Sequence, residues 1–118
     1  MIQALLSERM AEKKEDISLK QAVELLQSLI SVPSFSNEED AAADLWFQWL
    51  LDHEVKTVKR FHNNVYAVSS NFDPSLPVLL LNSHMDTVRP VSSYTRDPFS
   101  PVIEDGKLYG LGRNDAGA

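Results

Sequence analysis

The sequence predicts an α/β fold, a partial three-layer sandwich in which helices flank a mostly parallel or mixed sheet. Three observations support this prediction. Two helical patterns come first, short strand patterns follow them, and one strand pattern, at 78–81, is continuously apolar. A short apolar run between turn residues is typical of a strand buried on both faces, which requires a sheet covered by helices.

The first helix is predicted to begin near Ser18 and to end before Pro33. Ser18 and Gln21 have the spacing of a capping box, and apolar residues recur behind them at helical spacing. The residue before a proline disfavours helical backbone, so the helix ends there. A second helix is predicted after Ser36, with Glu39 as its capping-box partner. Its expected buried face consists of Leu45, Trp46, Trp49 and Leu50.

Extended segments follow the helices. Residues 55–61 and 65–68 flank an Asn-Asn pair, which predicts two strands joined by a tight turn. Residues 102–108 predict a hairpin that turns at Asp105-Gly106. Few candidate elements remain to flank the apolar strand at 78–81, so the predicted sheet is incomplete.

Composition excludes several classes of protein. The 118 residues suffice for one small domain. A formal net charge of −6 disfavours a nucleic-acid partner, because an acidic surface repels phosphates. The absence of cysteine excludes disulfides and cysteine-based zinc sites. No secretory signal pattern or membrane-length apolar run is present, so we expect a cytoplasmic protein without a membrane partner.

His84 and Asp86 are the first candidate site residues. They follow the apolar strand directly, and the carboxyl ends of strands in α/β sheets bind ligands and metals. Alternate residues of an extended chain face the same way, so both side chains share a face. The imidazole can ligate a metal while the carboxylate orients it. Taken alone, a His-x-Asp sequence is more often structural.

Asp115 is the second candidate. It follows a glycine-rich turn, and glycines allow the backbone to approach a site closely. A carboxylate in this position can bridge two cations. Composition alone equally favours a surface turn in which Asp115 caps a helix.

The sequence SHMDTV at 83–88, followed by GLGRND at 110–115, resembles the paired signature of the aminoacylase and carboxypeptidase-G metallopeptidase family. Residues 94–99 and 105–110 are most similar to its acetylornithine deacetylase and succinyl-diaminopimelate desuccinylase branch. The resemblance runs from about Leu19 to Ala118. Alanine and glycine follow Asp115, where family members commonly have lysine or a similar residue.

The resemblance implies a role for each candidate. His84 would bind one metal, Asp115 would bridge two metals, and Asp86 would be the catalytic-site carboxylate beside His84. It also implies a cis peptide between Asp115 and Ala116. The cofactors would be two divalent ions, zinc or cobalt before magnesium, since nitrogen and carboxylate ligands favour them.

The implied activity is hydrolysis of an N-acyl amino acid, with N-acetylornithine as the first substrate and arginine biosynthesis as the setting. A Glu-Glu pair, a further acidic ligand, a late histidine and a lid or dimerisation domain are expected beyond Ala118.

The chain divides into two segments in this interpretation. Residues 1–17 are interpreted as a charged N-terminal segment that can be helical. Residues 18–118 are interpreted as the N-terminal part of a catalytic metal-binding domain. We expect the isolated chain to be inactive and the full-length enzyme to be compatible with a homodimer.

Three alternatives stay open from the sequence. A desuccinylase or a dipeptidase of the same family would keep the chemistry and change the substrate. A non-catalytic interaction fragment would pair its open sheet edges with another chain. A structural α/β domain would use His84 only as a core residue.

Overall fold

The computed structural model describes Met10 and residues 18–112, and residues 18–112 form an α/β arrangement of two helical segments and two β-hairpins. The helical segments are α1, residues 18–30, and α2, Asp40–Asp52. The strands are β1 (Thr57–Phe61), β2 (Asn64–Val68), β3 (Val102–Glu104) and β4 (Lys107–Tyr109).

Helix α1 has the predicted apolar stripe. Ile30 is buried at its end, and the leucines at positions 25, 26 and 29 are half-buried. Ala22, which the helical spacing also placed on this stripe, is exposed. The chain leaves α1 before Pro33, as the sequence predicted.

Helix α2 begins later than predicted, and the capping box is wrong. Glu39 is the N-cap residue and makes no side-chain capping hydrogen bond. Asn37 has a φ of 70°, so the chain turns between Ser36 and the helix. The Ser36 hydroxyl therefore does not cap the first turn of α2. That hydroxyl instead donates to Asp86, fifty residues along the chain.

The predicted buried face of α2 is only partly buried. Leu50 is buried, whereas Leu45, Trp46 and Trp49 are half-buried. The fully packed positions are two small residues, Ala42 and Ala43.

Both predicted hairpins are present. Strands β1 and β2 pair antiparallel from Thr57–Val68 to Phe61–Asn64, and the turn uses His62-Asn63, one residue earlier than expected. In the second hairpin, Asp105 and Gly106 have φ values of 50° and 72°. Positive φ at both central residues is the geometry of a type I′ turn, which matches the twist of the flanking strands.

The buried strand predicted at 78–81 is wrong. In the part of the chain that the structure describes, these residues belong to no strand, and Leu79 and Leu80 are 83% and 80% exposed. A strand needs hydrogen-bonded neighbours and a covering layer, and the two hairpins pair only within themselves. The described residues accordingly lack the mostly parallel sheet that the apolar pattern predicted.

The described residues border an open cleft. It measures about 1060 Å³ and is lined by α1, α2, β2 and residues 80–87. The buried apolar side chains of the described region are Ile30, Ala42, Ala43, Leu50 and Leu111. Within residues 18–112 and at Met10, no helix has both the length and the apolar character needed to cross a bilayer.

Candidate metal centre

His84 and Asp86 lie together on one side of an extended segment. The Nδ1 atom of His84 is 3.1 Å from Oδ1 of Asp86 and 3.1 Å from its carbonyl oxygen. The alternation predicted from the sequence is therefore present in the structure. The His84 side chain is 50% exposed, which excludes the interpretation of this residue as a core histidine.

Asp86 divides its two carboxylate oxygens between two partners. Oδ1 faces the His84 ring, and Oδ2 accepts a hydrogen bond of 2.6 Å from the Ser36 hydroxyl. The Ser36 hydrogen bond, and to a smaller extent the His84 ring, hold the pKa of Asp86 below its ordinary value of 3.8. Asp86 is therefore ionised at neutral pH, and an ionised carboxylate favours a proton on the nitrogen that faces it.

The backbone around Ser36 is attached to the segment that carries Asp86. Ser34 donates its hydroxyl to the Met85 carbonyl at 2.8 Å, and the Thr87 amide donates to the Ser34 carbonyl at 2.8 Å. Phe35 and Thr87 form an isolated parallel bridge. The bridge holds the two segments side by side, and the Ser36 side chain reaches Asp86 although the two residues are distant in sequence.

A second set of contacts joins the same two segments at the surface. The Arg89 guanidinium is 2.6 Å from Glu38 and lies 4.2 Å from the centre of the Phe35 ring. Phe35 also meets Phe99 edge to face, with ring centres 6.0 Å apart. These contacts attach residues 35 and 38 to Arg89, three residues after Asp86, and attach Phe35 to Phe99.

Glu39 connects the site to the β1–β2 turn. Its Oε1 accepts the Asn37 amide at 2.7 Å, and its Oε2 accepts the Asn63 side-chain amide at 3.0 Å. The Asn37 hydrogen bond, with help from Asn63, lowers the pKa of Glu39 below 4.5, while the nearby negative charge of Asp86 raises it. Both oxygens of Glu39 are thus engaged in holding the loop and the hairpin together.

The glycine-rich segment passes close to the site. A Cβ atom on Gly112, which has a φ of 76°, would lie 2.8 Å from Cγ2 of Thr87. A Cβ atom on Gly110 would lie 2.5 Å from Cγ2 of Ile30. These two positions require glycine for close approach, as the sequence predicted for this turn. Asp115 and its peptide bond to Ala116 lie outside the described residues.

The chemistry of His84 and Asp86 fits one position of a metal site. When Nδ1 carries the proton, Nε2 has the lone pair with which a neutral imidazole ligates zinc, and a carboxylate on the other nitrogen is the usual orienting partner. Residues 18–112 contain no group of three or more histidine, aspartate or glutamate side chains that could hold a metal. The described residues therefore fit part of such a site.

Ser36 is the residue that sequence reasoning missed. Its spacing to Glu39 was assigned to helix capping, whereas its hydroxyl lies on Asp86. The other two histidines lie away from the site, as expected. His53 is stacked on Trp49, with ring centres 3.8 Å apart, and His62 occupies the exposed β1–β2 turn.

Comparison with known protein families gives a match to this region. Residues 80–118 match the family model described as Peptidase family M20/M25/M40. The matched range contains His84, Asp86 and Asp115. The match supports a relationship to this broad family and suggests a metal-dependent hydrolase.

Proposed function

We propose that the chain contributes metal-binding residues to an amidohydrolase that removes the acyl group from an N-acyl amino acid. N-acetylornithine is the first substrate to test, and the succinylated amino acids and dipeptides are the alternatives within the same class. His84 and Asp115 are the proposed metal ligands, Asp86 is the proposed carboxylate that orients His84, and zinc or cobalt is the proposed metal.

The observation that supports the proposal most directly is the pairing of His84 with Asp86 inside the segment that matches the peptidase family. The pairing could also occur in a purely structural loop. Its half-exposed position beside a cleft of about 1060 Å³ favours a functional role, because a ligand must be able to reach the ring.

The proposed reaction assigns distinct roles to Asp86, to His84 and to the apolar wall of the cleft. Asp86 would hold the proton on Nδ1 of His84, which would leave the lone pair of Nε2 for a metal ion. Two divalent ions, when bound, would polarise the amide carbonyl and lower the pKa of a water molecule. The apolar wall of the cleft, which includes Leu29 and Trp46, would exclude water from the acyl side of the substrate.

Zinc binding to a protein that combines this chain with the remaining ligands tests the ligand assignment. The variants H84N and D115N should each weaken zinc binding in a competition assay with a chromophoric chelator, because each loses a ligand. H53N and H62N are matched controls, since they remove exposed imidazoles away from the site. Unchanged zinc affinity in H84N and D115N would refute the assignment.

Hydrolysis assays test the substrate class. A protein that combines these residues with the remaining ligands should release acetate from N-acetylornithine faster than it hydrolyses N-succinyl amino acids or dipeptides. A reversed order would move the proposal to the desuccinylase or dipeptidase alternative. Turnover above metal-only background by the 118-residue chain itself would contradict our expectation that it is inactive.

A second candidate is an interaction module, and one observation favours it. Residues 78–81 are apolar, uncharged and exposed, and they pair with no strand in the described part of the chain. Exposed extended segments of this kind pair readily with other strands. Sedimentation measurements distinguish the candidates, since a specific stable dimer would favour the module and a monomer would count against it.

A further inference from the structure

Ser36 and His84 are linked through the two oxygens of one carboxylate. The Ser36 hydroxyl donates to Oδ2 of Asp86 at 2.6 Å, and Oδ1 of the same group is 3.1 Å from Nδ1 of His84. A carboxylate held at one oxygen only can rotate about its last side-chain bond. A carboxylate held at both oxygens cannot rotate in this way, so the oxygen that faces Nδ1 keeps a fixed position relative to the ring.

The position of Ser36 does not depend on this one hydrogen bond. The bridge between Phe35 and Thr87 and the two Ser34 hydrogen bonds hold the segment that carries Ser36 against the segment that carries Asp86. The Ser36 side chain is itself exposed and fills no part of the core. Its hydroxyl therefore has a polar role that can be removed without leaving a cavity.

We propose that Ser36 is a positioning residue that acts through Asp86 to fix the ring orientation and the tautomer of His84. It does not contact the metal or the substrate. The role as a metal-site residue rests on the proposed function. The control of the tautomer rests on the geometry of the three side chains, with the Asp86 carbonyl oxygen, 3.1 Å from Nδ1 of His84, as a second acceptor that Ser36 does not hold.

The tautomer can be measured directly in the 118-residue chain. Long-range proton–nitrogen spectra report which ring nitrogen carries the proton, and the chain has only three histidines, which single His→Asn variants assign. The spectra are recorded at about pH 9, well above the pKa of about 6.5 of an ordinary imidazole. In the wild type, Nδ1 of His84 should have the shift of a protonated nitrogen.

Three variants separate a positioning role from general attachment of the loop. In S36A, the Nδ1 shift of His84 should move toward the average of the two tautomers. In S36T, which keeps the hydroxyl, the wild-type shift should be restored. In R89Q, which removes the ion pair with Glu38 and does not alter Asp86, the shift should stay at the wild-type value.

The results that would overturn the proposal are specific. An unchanged His84 shift in S36A would mean that Asp86 holds the ring without Ser36. An equal change in R89Q and S36A would assign the effect to loop attachment as a whole. The proton–nitrogen backbone spectrum of each variant verifies that the fold is intact.

Zinc affinity provides a separate readout that tests the connection to the metal. Mutation of a residue that orients a metal ligand typically weakens metal affinity by about 10–100-fold. The effect of S36A should lie near the lower end of this range, because Ser36 acts through Asp86. The affinities are compared in a protein that combines this chain with the remaining ligands. Absence of zinc binding in that protein would count against the proposed function, and the tautomer shifts would still decide the role of Ser36.

Discussion

Nδ1 of His84 lies 3.1 Å from Oδ1 of Asp86, two residues further along the same extended segment. The short separation in sequence makes this contact a local property of the backbone, since residues i and i+2 of an extended chain share a face. The contact to Ser36 has a different origin, because it requires two segments fifty residues apart to be in register.

Replacement of Asp86 by asparagine should weaken zinc binding by about 10–100-fold, the usual range for an orienting partner. Asparagine has the shape of aspartate but lacks the negative charge that holds the proton on Nδ1. Competition titration with a chelator measures the change. D105N is the matched control, because Asp105 lies in a hairpin turn where its φ of 50° suits asparagine. Equal affinities of D86N and the wild type would contradict the orienting role.

Local sequence signals predicted much of this structure. The type I′ turn at Asp105-Gly106 could be found because both residue types tolerate positive φ, and the end of α1 could be found from Pro33. The pairing of His84 and Asp86 followed from alternation alone. Each of these features is determined by a few consecutive residues.

Features that depend on distant partners could not be predicted. The apolar run at 78–81 indicates a segment suited to burial, but its sequence does not specify what would cover it, and the structure leaves it exposed. The Ser36–Asp86 hydrogen bond was missed for the same reason. A serine three residues before a glutamate fits a capping box, and only the register with residues 85–87 shows its actual partner.

Gly110 should not tolerate alanine, because the new methyl group would lie 2.5 Å from Cγ2 and 3.0 Å from Cδ1 of Ile30. Ile30 is buried and cannot move freely, so G110A should lower the free energy of unfolding by about 1–3 kcal/mol, the usual effect of overpacking. Urea denaturation measures the change.

A double-mutant cycle with Ile30 identifies the cause. I30A alone should lower the free energy of unfolding by about 2–5 kcal/mol through the cavity that it creates. In the I30A background the additional G110A change should have little further effect, because the clashing side chain is gone. Strict additivity of the two changes would show that Gly110 is required for another reason.

Leucines in the two predicted buried segments should respond differently to truncation. Leu50 of α2 is 6% exposed, so L50A should lower the free energy of unfolding by about 2–5 kcal/mol. Leu79 lies in the exposed 78–81 segment, so L79A should change the free energy of unfolding by no more than about 0.5 kcal/mol. Urea denaturation at several protein concentrations measures both. Equal losses would indicate that Leu79 is buried in solution, either in a strand or against a second molecule.

Glu39 should make stability depend on pH in the acid range. Its folded pKa is lowered, first by the Asn37 amide hydrogen bond and also by the Asn63 side chain, so the folded state favours the ionised carboxylate. This contribution is fully present above the unfolded pKa, near 4.5, and is lost as the pH falls through the lower folded pKa. Thermal unfolding from pH 7 to pH 3 should therefore show a steeper loss of stability in the wild type than in E39Q.

N37G is the control for this prediction. It keeps the amide donor and suits the φ of 70°, so it should retain the wild-type dependence of stability on pH. Parallel curves for the wild type and E39Q would mean that Glu39 has the same pKa in the folded and unfolded chains.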